Sequence, residues 1–197
     1  MPKGIPLTED ELVRRRDEIS HAAIQLFLQK GFTETTMREI AAAAHIGKST
    51  LYDYFKTKDE VLLSVIEDMI LSATTEARAI IEQPSPAIER LRQVMMKHIE
   101  YLVAQKEVYL KLSYEVQRLS LESQRRIQLH RHAYQDLVRR LIEEGIAEGA
   151  IRRVDALVAA RTLITALTPA VYTSRPSGTP EHMLNEIFDI ILKGIQA

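Results

Sequence analysis

Residues 33–58 read TETTMREIAAAAHIGKSTLYDYFKTK. Thr36 and Glu39 have capping-box spacing: a hydroxyl and a carboxylate three residues apart each cover an amide that the first helical turn leaves free. The helix opened there is brief, because Gly47 follows soon after. A second short helix covers about Lys48 to Phe55. Two short helices joined by a tight turn fit a helix-turn-helix. Ile40, Ala41 and Ala44 supply the inner face of the first, and small alanines let the second cross closely. Ile46 fills the corner, and Leu51 and Phe55, four apart, turn inward. At about 100° per residue, Ser49, Thr50, Tyr52 and Asp53 then fall on or near the outer face. Such a short polar surface with an aromatic can approach base edges in a major groove.

Charge is sparse but placed. Between Arg38 and Lys58 there are four basic and two acidic side chains, a local excess of two. Thr36 sits at a helix N-terminus, where free amides and the helix dipole attract phosphate. Lys48 opens the outer helix, and Lys56 and Lys58 follow its end. Asp53 repels phosphate yet can accept from a cytosine amino group, so it is expected to restrict sequence choice.

Working outward, Thr8 and Glu11 form an earlier capping box. Ile19, Ala22, Ala23, Leu26 and Phe27 make one buried face. Gly31 ends that helix, and Phe32 can pack back on its last turn. After residue 58 a long helix runs from about Asp59 to Gln83. The prolines at 84 and 86 break it, and Ser85 is expected to cap the next helix with Pro86 at its first position. Breaks are expected near Lys106 and Ser120, since one helix reaching Gly145 would be implausibly long. Asp155 caps an almost wholly apolar helix, Ala156 to Val171. Thr179 and Pro180 start the last one, with Met183, Leu184, Ile187, Phe188, Ile190, Ile191 and Ile195. The chain is thus read as all-α: an N-terminal three-helix helix-turn-helix domain over 1–58 and a C-terminal helical bundle over 59–197, about nine helices in all.

Whole-chain composition excludes other classes. The 197 residues carry 26 Lys plus Arg, 27 Asp plus Glu and no Cys. No disulfide framework or Cys-ligated zinc is possible. The start, MPKGIPLTEDEL, lacks the apolar core of a signal peptide. The longest charge-free stretch, 162–174, is shorter than the roughly 20 residues of a membrane span. A cytoplasmic protein without membrane contact is expected. Net charge alone, at -1, gives no hint of nucleic acid.

The stretch around 31–62 resembles the DNA-binding domain of the tetracycline-repressor (TetR) family of transcription regulators. The matching residues are Gly31-Phe32, Thr35-Thr36, Ile40-Ala41, Ala44, Lys48, Thr50-Leu51-Tyr52, Tyr54-Phe55, Lys56, Lys58 and Asp59-Glu60-Val61-Leu62. Weaker echoes lie in Glu144-Gly145-Ile146-Ala147-Glu148-Gly149 and Lys193-Gly194. The resemblance implies DNA contacts from Thr36, Lys48, Ser49, Thr50, Tyr52, Tyr54 and Lys58. It also implies a C-terminal ligand and dimer domain, a palindromic operator in double-stranded DNA, and release of DNA on ligand binding. His45 and Gly47 stand where the family has Gly and then Ser or Thr. His tolerates a left-handed conformation better than most residues, and Gly costs only a few tenths of a kcal/mol as a cap.

The remaining expectations concern ligand and partner. Met95, Met96, His98, Tyr101, Tyr109, Tyr114, Arg118 and Tyr134 lie on the middle helices, the place for a small-molecule effector in a mostly apolar pocket. Two apolar helices at the end of a small domain have more apolar surface than one core covers. Their surplus face is a homodimer surface or, on the other reading, packs within one chain. His130, His132 and Asp136 read as surface polar residues, so no metal is expected. No motif requires a cofactor. No phosphate loop, H-E-x-x-H or nucleophile elbow marks an enzyme. An all-α enzyme and a helical protein-binding scaffold remain the alternatives.

Overall fold

A computed structural model describes residues 8–173, 175 and 178–195, and among them every regular element is a helix. The helices are α1 (Glu9–Lys30), α2 (Met37–Ala43), α3 (Lys48–Tyr54), α4 (Lys58–Ile81), α5 (Ala87–Ala104), α6 (Lys106–Val116), α7 (Leu121–Ala147), α8 (Ala156–Ala166), α9 (Pro169–Tyr172) and α10 (Pro180–Ile195). Nine exceed a single turn; α9 has four residues. The chain forms two compact units, residues 1–67 with 111–124, and residues 68–110 with 125–197. The N-terminal residues 1–7, part of the stretch that lacks a signal-peptide core, lie outside the described residues, as do Ser174 and the side chains of Val171 and Ile195.

In the first unit the capping signals act as expected. Thr8 and Glu11 cover each other's amides at the start of α1, and Thr36 and Glu39 do so at α2. Gly31 has φ 90, a conformation that favours glycine. It lets the chain turn so that Phe32 lies 5.1 Å from Phe27, ring centre to ring centre. The core takes Ile19, Ala23 and Phe27 from α1, Ile40 and Ala41 from α2, Leu51 from α3, and Phe55, Val61, Leu62 and Val65, all buried.

The second unit packs α10 and α9 against α5. Its core joins Leu91, Val94, Met95, Ile99 and Leu102 of α5 with Tyr134, Leu137, Val138, Leu141 and Ile142 of α7 and Leu184, Phe188 and Leu192 of α10. Breaks fall at Gln105 and between Val116 and Leu121, as expected.

Two local expectations need correction. The apolar helix from Ala156 stops at Ala166, and the chain restarts at Pro169. Pro169 has no amide hydrogen to donate to the preceding turn, and its ring clashes with the carbonyl four residues back. Ser85 does not cap α5. The cap position is Pro86, and the Ser85 hydroxyl is buried without a partner. The Ala87 amide instead donates to the Glu148 carboxylate of the α7 end at 2.9 Å. Beside it Arg90, nearly buried, donates to the Ile81 and Ser85 carbonyls at 2.7 and 2.8 Å and to Glu144 at 2.8 Å.

Candidate functional site

The helix-turn-helix is built around one unusual residue. His45 has φ 54, the only positive φ among described non-glycine residues. His45 and Ile46 donate their amides back to the Ala42 and Ala41 carbonyls at 3.1 and 3.0 Å. That turn delivers Gly47 in extended geometry as the α3 cap, with no side chain to bond the first amides. Leu51 and Phe55 are then fully buried and fix the rotation of α3. Lys48, Ser49, Thr50 and Asp53 stand exposed, and Tyr52 and Tyr54 are half-buried beside them. Six of the eight residues singled out for DNA therefore share one helix.

Lys48 carries the exposed positive charge of this face. Its ammonium lies 5.8 Å from the Tyr52 ring centre, a favourable but weak contact at an exposed position. The Tyr54 carbonyl accepts from Arg16 at 3.1 Å, and the Arg16 guanidinium lies 4.4 Å from the Phe55 ring centre. Arg16 thus holds the end of α3 onto α1. Nothing local in the sequence pointed to it, because its partners are 38 or more residues away.

The other two singled-out residues are more committed. The Thr36 hydroxyl donates to Glu39 at 2.7 Å and accepts from its amide. Lys30 and then Thr36 hold the Glu39 carboxyl down at about 2. Lys58 is half-buried, and its ammonium donates to the carbonyls of Phe32, Thr33 and Thr35 at 2.6, 3.0 and 2.9 Å while lying 4.4 Å from the Phe32 ring centre. An ammonium has three donors, and here all three go to the loop before α2.

The middle-helix residues divide between the units. Met95 and Tyr134 are in the core of the second, with Met96 and Tyr109 packed against it. His98 stacks on Tyr134 with ring centres 5.2 Å apart, and Tyr109 meets Tyr172 edge-on at 5.9 Å. Tyr101 is half-buried on α5. Tyr114 and Arg118 lie exposed in the first unit. His132 is exposed, and Asp136 pairs with Arg139 at 3.3 Å. Among the described residues no three imidazoles or carboxylates are placed to hold a metal. No described helix is long and apolar enough to cross a membrane.

Comparison with known proteins agrees with this geometry. Residues 19–65 match the family model for bacterial regulatory proteins of the tetR family, and residues 84–195 match a tetracyclin repressor-like C-terminal domain. The transcriptional repressor KstR2 of Mycolicibacterium smegmatis is 26% identical over 197 residues, covering 96% of this chain and 95% of that protein. A TetR/AcrR-family regulator from Thermobifida fusca superimposes with a TM-score of 0.76 at 27% identity, covering 92% and 98% of the two chains. The regulator FadR from Bacillus subtilis, solved with stearoyl-CoA, shares the fold with a TM-score of 0.79 at 21% identity over 91% and 99%. The chain belongs to the TetR family of bacterial regulatory proteins and is a DNA-binding transcriptional regulator.

Proposed function

We propose that the protein is a cytoplasmic repressor that binds a pseudo-palindromic operator as a homodimer and lets go when a small, largely apolar molecule binds. Residues 1–58 form the DNA head, and residues 59–197 hold effector and partner. The exposed polar face of α3 carries this reading, because it combines a cation, short polar groups and an aromatic on a helix whose opposite face is buried. Ser49, Thr50, Tyr52 and Asp53 read base edges, and Lys48, Tyr54 and Thr36 meet the phosphate backbone. Lys58 serves the same surface indirectly, by ordering the loop that leads to Thr36.

The last long helices, α8 and α10, supply the dimer face. Val158 is 58% and Ile190 73% exposed, large apolar side chains without cover. Two such chains about a two-fold axis present two α3 helices to half-sites about one helical turn, or more, apart. An effector changes DNA affinity only through its different affinity for the DNA-competent and released states. The protein is not an enzyme on this reading: the conspicuous cluster is a surface for a groove rather than a set of reacting groups.

The test is selection of bound fragments from random double-stranded DNA by the full chain. A pseudo-palindrome whose binding weakens steeply with salt supports the reading. Loss of that binding in Lys48→Ala and Tyr52→Ala, with folding intact, ties it to α3. An Asp53→Ala protein that selects an unchanged sequence removes Asp53 from base reading. Effector control is tested separately, by whether small-molecule fractions from cells release the selected DNA.

A further inference from the structure

α3 has seven residues, and a helix that short does not hold itself together in water. Its orientation must come from contacts outside it. Its start contributes little, because Gly47 has no side chain to cap it. Leu51 and Phe55 are buried and fix its rotation, but apolar burial is non-directional and sets no exact tilt. The other end settles the tilt. A helix C-terminus leaves carbonyls unpaired and carries partial negative charge, and at α3 two cations meet it. The Lys56 ammonium donates to the Tyr52 carbonyl, and the Arg16 guanidinium donates to the Tyr54 carbonyl at 3.1 Å. Lys56 follows α3 directly and moves with it. Arg16 belongs to α1, so of the two it alone ties α3 to a separate element.

Arg16 also differs from its neighbours. Arg14, Arg15 and Arg16 are consecutive. Arg14 and Arg15 are exposed and pair with Glu18, one turn on. Arg16 lies three residues before Ile19 and seven before Ala23, hence on the stripe of α1 that enters the core. Half-buried there, it lays its guanidinium over Phe55, 4.4 Å from the ring centre. One planar group thus makes a face contact with Phe55 and an edge hydrogen bond with the residue before it. Two contacts in different directions on adjacent residues fix an orientation that either alone leaves free.

We propose that Arg16 is a positioning residue for sequence recognition: by fixing the tilt of α3 it aims Ser49, Thr50, Tyr52 and Asp53 at base edges, without touching DNA itself. The proposal rests on the reading of α3 as the element that meets the bases. It adds the residue outside α3 on which discrimination depends. Hydrogen bonds to base edges weaken steeply when donor and acceptor fall out of line. Attraction to phosphates is independent of sequence and tolerates small shifts. Loss of Arg16 therefore costs preference between sequences before it costs affinity for DNA as such.

The test uses the full-length protein and two duplexes: the sequence that the native protein selects from random double-stranded DNA, and the same bases in scrambled order. Affinity for each is measured by fluorescence anisotropy over a range of salt. Arg16→Met keeps an apolar stem over Phe55 and loses the donors and the charge. It should bind the selected duplex about tenfold more weakly, and the scrambled duplex as the native protein does, with an unchanged salt slope. Arg16→Lys keeps a donor for the Tyr54 carbonyl but not the planar face, and should fall between the two. If Arg16→Met does not fold, Arg16→Lys decides the matter by the same pair of affinities. Equal losses on both duplexes make Arg16 a residue of stability only. A slope lower by about one makes it a phosphate contact, and an undiminished preference removes it from recognition. Each of these overturns the proposal and leaves the role of α3 standing. A native protein that selects no sequence overturns the reading of α3, and the proposal with it.

Discussion

Lys48 and Lys58 have the same charge and lie ten residues apart, yet the structure gives them different surroundings. Lys48 is exposed on α3, whereas Lys58 spends its ammonium on three carbonyls. Each phosphate contact releases counterions and adds close to one unit to the slope of log affinity against log salt. Lys48→Ala should therefore lower the slope on the selected operator by about one. Lys58→Met should leave the slope unchanged while lowering the melting temperature; an equal fall in slope for both makes Lys58 a phosphate contact. The sequence placed both lysines beside the recognition helix, but it could not separate them. The carbonyls that hold Lys58 belong to residues 23 to 26 positions earlier. His98 adds a pH dependence at the same scale. Its folded value of about 4 lies below its ordinary 6.5, so below pH 6.5 the unfolded chain binds the extra proton. Stability then falls as pH drops from 6.5 towards 4, by about 2–3 kcal/mol in all. Denaturant melts should show that loss in the native protein and a flatter profile in His98→Phe over the same window.

At the scale of elements, signals within a turn were legible and signals between distant segments were not. Thr8–Glu11, Thr36–Glu39 and Asp155 cap their helices because each partner is within three residues. His45 in the left-handed region, and Gly47 as a bare cap, were expected through the family resemblance, and their residue types tolerate those places. The start of α5 did not, since its amide is covered from 61 residues away by Glu148. The single helix expected over Ala156 to Val171 gave too little weight to Pro169, a breaker visible in the sequence. Ser85 and Glu148 give this contrast a measurable form. Ser85→Ala removes a buried hydroxyl that bonds nothing, and should change unfolding free energy by no more than about 0.5 kcal/mol. Glu148→Ala uncovers the Ala87 amide and removes a carboxylate 3.9 Å from Arg90, and should cost about 1–3 kcal/mol. Chemical denaturation of the two variants checks both values, and a larger loss from Ser85→Ala reverses the assignment of the cap.

At the scale of the whole molecule, the fold class was legible because the 197 residues hold only 7 Gly and 7 Pro, which leaves long stretches unbroken for helical stripes. The assembly was less so, since an apolar residue on a terminal helix reads alike whether it faces a core or a partner. Val158 and Ile190 are exposed, and on the proposed assembly they meet their counterparts. Val158→Glu with Ile190→Glu should halve the mass seen by light scattering while leaving the helical spectrum intact; a variant that stays dimeric moves the interface elsewhere. Near-neutral net charge has a consequence at this scale too. With a local excess of only two positive charges over residues 38–58, non-specific DNA binding should be weak and specificity should depend on a few placed side chains. The most direct test of that claim is selection of bound double-stranded fragments by the full-length protein, repeated with Lys48→Ala and Tyr52→Ala. The account predicts one pseudo-palindromic sequence with half-sites about one helical turn or more apart, lost in both variants. Enrichment of no sequence, or of the same sequence at the same affinity by the two variants, would contradict it.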